Sequence, residues 1–217
     1  MLSPPILYSF EGCPFCLRTR IALKYANLKI IVREVELDNL PEEALAVSSH
    51  ATVPSLVISD SEYLDESWDI VKWAVQQDDP NNWLGRDNAY LQDAEMLVEI
   101  SDHSFKEDLK GYKNPASHQG QPEQPMEYYR DRGEEFLEEL NEMLEENNCL
   151  LAPAISVADI AVFPLVHEFA MVDKDWFDKS AYPKVQGWLA MMLEKQWYKD
   201  AMQPHELWHP GNKDIYL

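Results

Sequence analysis

Apolar and polar positions along the chain change their period once. Between residues 1 and 75 short apolar runs alternate with helical spacings. "ILYSF" (6–10) reads as a strand, and residues 14–27 place Phe15, Leu17, Ile21, Ala22 and Tyr25 on one side of a helix. "KIIVREVEL" (29–37) is rich in β-branched residues and reads as a second strand. "PEEAL" opens a short helix at Pro41, "TVPSLVI" (52–58) is a third strand, "SEYLDES" holds a brief fourth, and "SWDIVKWAVQQ" is a helix. This order is that of a small α/β unit with a mixed sheet. Beyond it strand signals stop.

The segment "QQDDPNNWLGRDN" (76–88) has the Asp, Asn, Pro and Gly content of a linker. Two long helices follow at 89–110 and 126–147, separated by the loop "GYKNPASHQGQPEQP". In "AISVADIAVFPLVHEFA", Ser156 and Asp159 stand as a capping box with Asp replacing the usual Glu, and Ile155 with Ile160 forms a hydrophobic staple. The helix they start is apolar nearly all round, which predicts burial at the centre of an all-helical domain, with Pro164 a kink or a tight packing point. The expected fold class is therefore α/β plus all-α: an α/β domain over 1–77, a linker over 78–88 and an all-helical domain over 89–217.

Composition fits this picture without adding to it. The 217 residues are 46% hydrophobic and 11% aromatic, ordinary for a chain that folds without staples. No apolar run reaches the roughly 18 to 20 residues that span a bilayer, and the N-terminus lacks the basic and apolar regions of a signal peptide, so the expected location is cytoplasmic. Acidic residues number 39 against 18 basic ones, a formal charge of -21. A field of that sign repels phosphate backbones and anionic lipids, so neither nucleic acid nor membrane is expected as a partner. The densest acidic stretch, "EEFLEELNEMLEE" (134–146), keeps apolar residues at helical spacing beneath the charges and reads as a solvated helix face.

Charge excludes partners; the cysteines suggest chemistry. "EGCPFCLRTR" (11–20) puts two of the three cysteines where the first strand hands over to the first helix. With Pro14 at the first helical position, Cys13 falls at the N-cap, where unpaired N–H groups and the helix dipole favour a thiolate. That makes Cys13 the candidate nucleophile. Cys16 lies one turn along, close enough to attack a mixed disulfide on Cys13 but better placed for burial. Arg18 and Arg20 carry positive charge nearby, pointing in directions the sequence does not define. Other readings of the pair are a metal clip, a structural disulfide and an inert buried pair. A zinc site needs further ligands, and His205 with His209 lies in a Pro- and Gly-interrupted tail, so no metal is expected. A disulfide across so short a loop would restrict the unfolded chain only weakly.

Two more stretches add to the pair. "TVPSL" places Pro54 at the head of a strand, where a cis peptide bond would expose the backbone of Val53 to a peptide-like ligand. "DESWDI" (65–70) puts Glu66 and Ser67 at a helix N-terminus suited to a carboxylate, though Ser67 reads equally as a plain helix cap.

CPFC after a first strand, then TVP, then ES at a helix start, then a helical domain with S-x-A-D-I, resembles the cytosolic glutathione transferase superfamily over nearly the whole chain. The resemblance implies a thioredoxin-like N-terminal domain, a helical C-terminal domain and glutathione as co-substrate. It implies that Cys13 faces the glutathione sulfur, that Phe15 and Val53 with cis Pro54 lie along the tripeptide, and that Glu66 and Ser67 hold its γ-glutamyl end. Ser156 and Asp159 match a folding motif. Tyr8 and Ser9, residue types that other members use to hold the glutathione thiolate, fall within the strand. The motif is closest in kind to cysteine-type members and the two-domain bacterial glutaredoxin branch. Another departure is "LLAPAIS", which lacks the Gly common before the capping box. The activity implied is glutathione-dependent thiol–disulfide exchange through a Cys13–glutathione mixed disulfide, resolved by a second glutathione or by Cys16. Conjugation of glutathione to electrophiles is the alternative, and a non-catalytic binding or regulatory protein is a third reading. The second substrate is a disulfide or an electrophile, small or protein, and the assembly a monomer or homodimer. His103 and Phe105 are candidates for the co-substrate side, Cys149 reads as a buried small hydrophobe, and Trp68, Trp73, Trp176, Trp188, Trp197 and Trp208 read as packing residues.

Overall fold

A computed structural model describes residues 3–48, 50–85, 88–117 and 124–217. Its first half is the α/β unit the pattern predicts. Strand β1 (Ile6–Ser9) leads through a tight turn to α1 (Pro14–Tyr25), then β2 (Ile31–Glu34), a short α2 (Glu42–Leu45), β3 (Ser55–Ser59), β4 (Glu62–Leu64) and α3 (Ser67–Gln77). Strand β1 pairs in parallel with β2, Ile6 opposite Ile31 and Ser9 opposite Glu34, and antiparallel with β3. Strand β4 adds to β3 through a register shift between Val57 and Ser59.

Side chains alternate across β1 as a pleated strand requires. Leu7 and Tyr8 are both buried, on opposite faces; Tyr8 packs with Cys16, Val35, Ala44 and Val53. Helix α1 lies against α3, burying Ile21, Leu23, Ile70 and Ala74.

A fifth strand is the main departure from the expected organisation. Residues Ile215–Tyr216 form β5, antiparallel to β2, so the sheet order is β4-β3-β1-β2-β5. The chain divides into two compact units, Met1–Leu84 with Lys195–Leu217, and Gly85–Glu194. The helical domain expected to run to 217 stops at Glu194, and the tail belongs to the α/β unit. In that unit α10 (Gln196–Ala201) packs on α1, Trp208 N donates to Glu34 O at 2.8 Å, and Leu217 N donates to Ile30 O at 3.0 Å. A two-residue strand has no period to detect, and "HELWHPG" before it carries only loop signals.

The expected linker is anchored rather than extended. Asp79 accepts hydrogen bonds from Tyr25 Oη and Trp83 N, both 2.6 Å, and Tyr25 and Trp83 stack with ring centroids 3.4 Å apart. Residues 86 and 87 of that linker, and 118–123 of the loop after it, lie outside the described residues.

The second unit is all helical. Helix α4 (Asn88–Ile100) passes through a π-helical turn (Ser101–Phe105) into α5 (Lys106–Lys113), where one continuous helix was expected. It continues with α6 (Met126–Glu146), α7 (Val157–Val172), α8 (Lys174–Phe177) and α9 (Pro183–Leu193). Helix α7 is the buried centre: Ile160 to Val166 are at most 2% exposed, and the helix runs through Pro164. Its N-terminus carries the predicted capping box. Asp159 accepts hydrogen bonds from Ser156 N and Oγ, Leu150 N and Trp188 Nε1, at 2.8–2.9 Å. Leu151, in the turn without Gly, takes a left-handed φ of 57°. Among the described residues no helix is long and apolar enough to cross a membrane.

Candidate active site at the first helix

The strand-to-helix turn sets Cys13 at the N-cap of α1, with φ -89° and ψ 120°, and Pro14 follows at the first helical position. The Cys13 sulfur accepts a hydrogen bond from Cys16 N at 3.4 Å. An anion on this sulfur therefore faces the unpaired amides and the positive end of the helix dipole. Cys13 is partly exposed, Cys16 is buried, and the two thiols are not bridged.

Cys16 is 1% exposed and its sulfur accepts from Phe10 N at 3.3 Å. Burial pushes its pKa well above the ordinary thiol value, and the neighbouring Cys13 adds to the effect; the Phe10 amide and the Ser9 hydroxyl pull the other way. The pair thus differs in kind: one sulfur at the surface on a helix end, one enclosed.

The two arginines of α1 turn to different tasks. Arg18, 1% exposed, donates from Nη2 and Nε to Ser67 Oγ at 2.7 and 3.1 Å, and its guanidinium lies 5.0 Å from the centre of the Phe15 ring. Arg20 donates from Nε to Ser9 Oγ at 2.8 Å and pairs through Nη2 with the Glu34 carboxylate. Glu34 also accepts from Glu11 N, so its carboxylate grips the turn that carries Cys13. Burial raises the Glu34 pKa, opposed chiefly by Arg20. A cavity of about 20 Å³ beside the turn is lined by Cys13 and Arg20 among others, which sets a guanidinium next to the nucleophile's surroundings.

Of the other expected residues, Val53 precedes a cis Pro54 and packs in the cluster that holds Cys16 and Cys13. Ser67 is the first residue of α3, is 5% exposed, and accepts from Arg18 rather than capping its own helix. Glu66 stands at the N-cap position, exposed, with no side-chain cap bond. The fold therefore gathers Cys13, Cys16 and Val53 in one cluster, and Phe15, Arg18 and Ser67 in a second set joined through α1. Tyr8 is buried and accepts from Arg33 Nη1 at 2.6 Å, and Ser9 is wholly buried, so neither side chain stands at the turn.

In the helical unit, Phe105 is closed into the core against Phe136 and Phe169 at 4.9 and 5.1 Å, which corrects its expected place on a co-substrate wall. Its place in the π-helical turn points the ring inward. His103 is exposed and faces Glu99 at 3.5 Å. Cys149 is 2% exposed, as expected for a small buried hydrophobe. Among the described residues no three His, Cys, Asp or Glu side chains are grouped to hold a metal ion.

Sequence reasoning missed the roles of Arg18, Arg20, Ser9 and Glu34. The partners of Arg18 and Arg20 lie 49, 11 and 14 positions away, so no local spacing reveals them. A signal was nonetheless present in two arginines on a helix whose spacing demanded burial.

Comparison with known proteins agrees with this geometry. The sequence profile of the glutathione S-transferase N-terminal domain matches residues 7–82, and that of the C-terminal domain matches residues 102–190. Glutaredoxin 2 of Escherichia coli K12 is 22% identical, the match covering 76% of this chain and 85% of the relative. A glutathione transferase family member from Pseudomonas fluorescens, solved with two glutathione molecules bound, superposes with a TM-score of 0.79 at 17% identity over 92% of each chain. A Pseudomonas putida glutathione transferase, solved with glutathione disulfide, gives 0.78 at 20% identity over 92% of this chain and 91% of that one. With both domain profiles matched in order on this architecture, the chain belongs to the glutathione S-transferase superfamily.

Proposed function

We propose that the chain is a glutathione-dependent thiol transferase of the cysteine type. The observation that carries this reading is the Cys13 sulfur at the N-cap of α1, taking the Cys16 amide, with an enclosed second thiol one turn behind it. A thiolate so placed attacks a disulfide sulfur. With a glutathionylated substrate, a bond forms between Cys13 Sγ and the glutathione sulfur, the substrate–sulfur bond breaks, and the substrate leaves as a thiolate that takes a proton from water. A second glutathione thiolate then attacks the mixed disulfide, releasing glutathione disulfide and restoring Cys13. In the dithiol route Cys16 attacks instead, giving a Cys13–Cys16 disulfide and free glutathione.

Glutathione would lie with its sulfur toward Cys13, its cysteinyl backbone along Val53, and its γ-glutamyl end at Glu66 and Ser67, with Phe15 flanking. The buried hydroxyl of Ser67 at the start of α3 suits an anionic group. The name of the bacterial relative and the ligands of the two solved neighbours support the choice of tripeptide. A thiol that must stay reduced between turnovers suits a cytoplasmic setting.

The test is an exchange assay on a glutathione mixed disulfide beside a conjugation assay on an aromatic halide. Cys13→Ser loses essentially all exchange, and Cys16→Ser keeps the monothiol route. Full exchange in the Cys13 variant, or conjugation far outpacing exchange in the parent, overturns the reading.

A further inference from the structure

We infer that Ser9, aligned by Arg20 and Glu34, is the positioning residue that lets the enclosed Cys16 act as the resolving nucleophile. The inference deepens the exchange reading and rests on it. Cys16 is a poor nucleophile on burial alone, because an anion on its sulfur has lost its water. Two donors are nevertheless aimed at that sulfur: the Phe10 amide at 3.3 Å and the Ser9 hydroxyl. Ser9 lies on β1, wholly buried. Its oxygen already accepts from Arg20 Nε at 2.8 Å, so its own hydrogen is left to point at Cys16.

Arg20 is in turn fixed by the Glu34 carboxylate, which also accepts from Glu11 N. One carboxylate on β2 thereby holds both the backbone turn beside the attacking sulfur and, through two side chains, the hydroxyl beside the resolving one. A buried Arg–Glu pair is not by itself a source of stability, and a hydrophobic pair of similar shape often replaces one without loss. Here the pair orients a donor at a reactive group. The remaining groups facing this array are Cys13 on the same helix, whose negative charge opposes ionisation of Cys16; Tyr8, kept neutral by burial; and His205 of the tail, neutral for the same reason and facing Arg20 and Lys24.

The step served is attack by Cys16 on Cys13 in the mixed disulfide. The Cys16–Cys13 bond forms, the Cys13–glutathione bond breaks, and the Cys16 thiol proton finishes on glutathione; the Ser9 hydrogen stays on Ser9. Charge-assisted hydrogen bonds are the stronger kind, so loss of this donor slows the step by about tenfold.

The experiment loads Cys13 with glutathione from glutathione disulfide and follows, by mass spectrometry across a pH series, conversion of the mixed disulfide to the Cys13–Cys16 disulfide. Ser9→Ala resolves about tenfold more slowly near neutral pH, with the pH profile displaced upward; Ser9→Thr, which keeps the hydroxyl, resolves as the parent does. Arg20→Lys, which keeps the charge but gives up the fork, slows the step in the same direction by a smaller factor. In a Cys16→Ser background, Ser9→Ala leaves the monothiol exchange rate unchanged. Resolution in Ser9→Ala and Arg20→Lys at the parental rate and pH profile overturns the positioning role. Failure of the parent to form any mixed disulfide overturns the exchange reading instead.

Discussion

Two sulfurs one helical turn apart obey different physics because one backbone turn separates water from core. Cys13 keeps access to solvent and the helix end, while Cys16 is enclosed and its pKa is driven up by lost solvation. Alkylation at neutral pH therefore labels Cys13 first, and peptide mapping after brief iodoacetamide treatment should find Cys16 unmodified; equal labelling would contradict the burial. Ser67 carries a second consequence. Ser67→Ala removes the oxygen that both Arg18 nitrogens reach, leaving a buried guanidinium short of an acceptor. Equilibrium unfolding in denaturant should show a loss of about 1–3 kcal/mol, together with weaker glutathione binding by calorimetry.

At the scale of elements, α7 depends on a single carboxylate. Asp159 joins the N-terminus of its own helix to the preceding turn and, through Trp188, to α9. Burial raises its pKa from 3.8 to about 6 despite four donated hydrogen bonds. An acid that holds its proton more tightly when folded contributes more stability at low pH. Its contribution is full below about pH 4 and falls as pH rises through about 6. Thermal melts of the parent against Asp159→Asn should show this slope in the parent only. Close approach of helices gives another test. A Cβ at Gly133 on α6 would run into the Phe169 ring on α7, a rigid side chain in the core. Gly133→Ala should cost about 1–3 kcal/mol by forcing the helices apart, read as a lower melting temperature. Leu151 in the turn before the capping box sits in backbone space that glycine occupies more easily, so the absent Gly leaves the fold intact at a local cost.

For the whole molecule, the tail from Lys195 to Leu217 is an integral part of the thiol-bearing unit. Truncation after Glu194 removes β5, the Trp208 amide from Glu34 O, and the cover that α10 gives α1. The truncated chain should show a lower melting temperature and an aggregating β2 edge, checked by calorimetry and size-exclusion chromatography. This tail also marks where sequence reading stops. Helices α1, α3, α6 and α7 were legible because each repeats its period over several turns and carries a start signal such as Pro14 or the Ser156–Asp159 box. The thiol turn was legible for the same local reason. Strand β5, the links of Arg18 to Ser67 and Arg20 to Glu34, and the inward turn of Phe105 depend on chain segments meeting at long range, which no period records.

The α/β unit is discontinuous, since all of the helical unit is synthesised between β4 and β5. An emerging chain therefore carries β2 as an unprotected sheet margin until translation has passed the helices. The redox centre then reaches its finished surroundings late in synthesis, so a ribosome stalled within the helical segment would leave a nascent protein with its thiols made but its sheet unclosed.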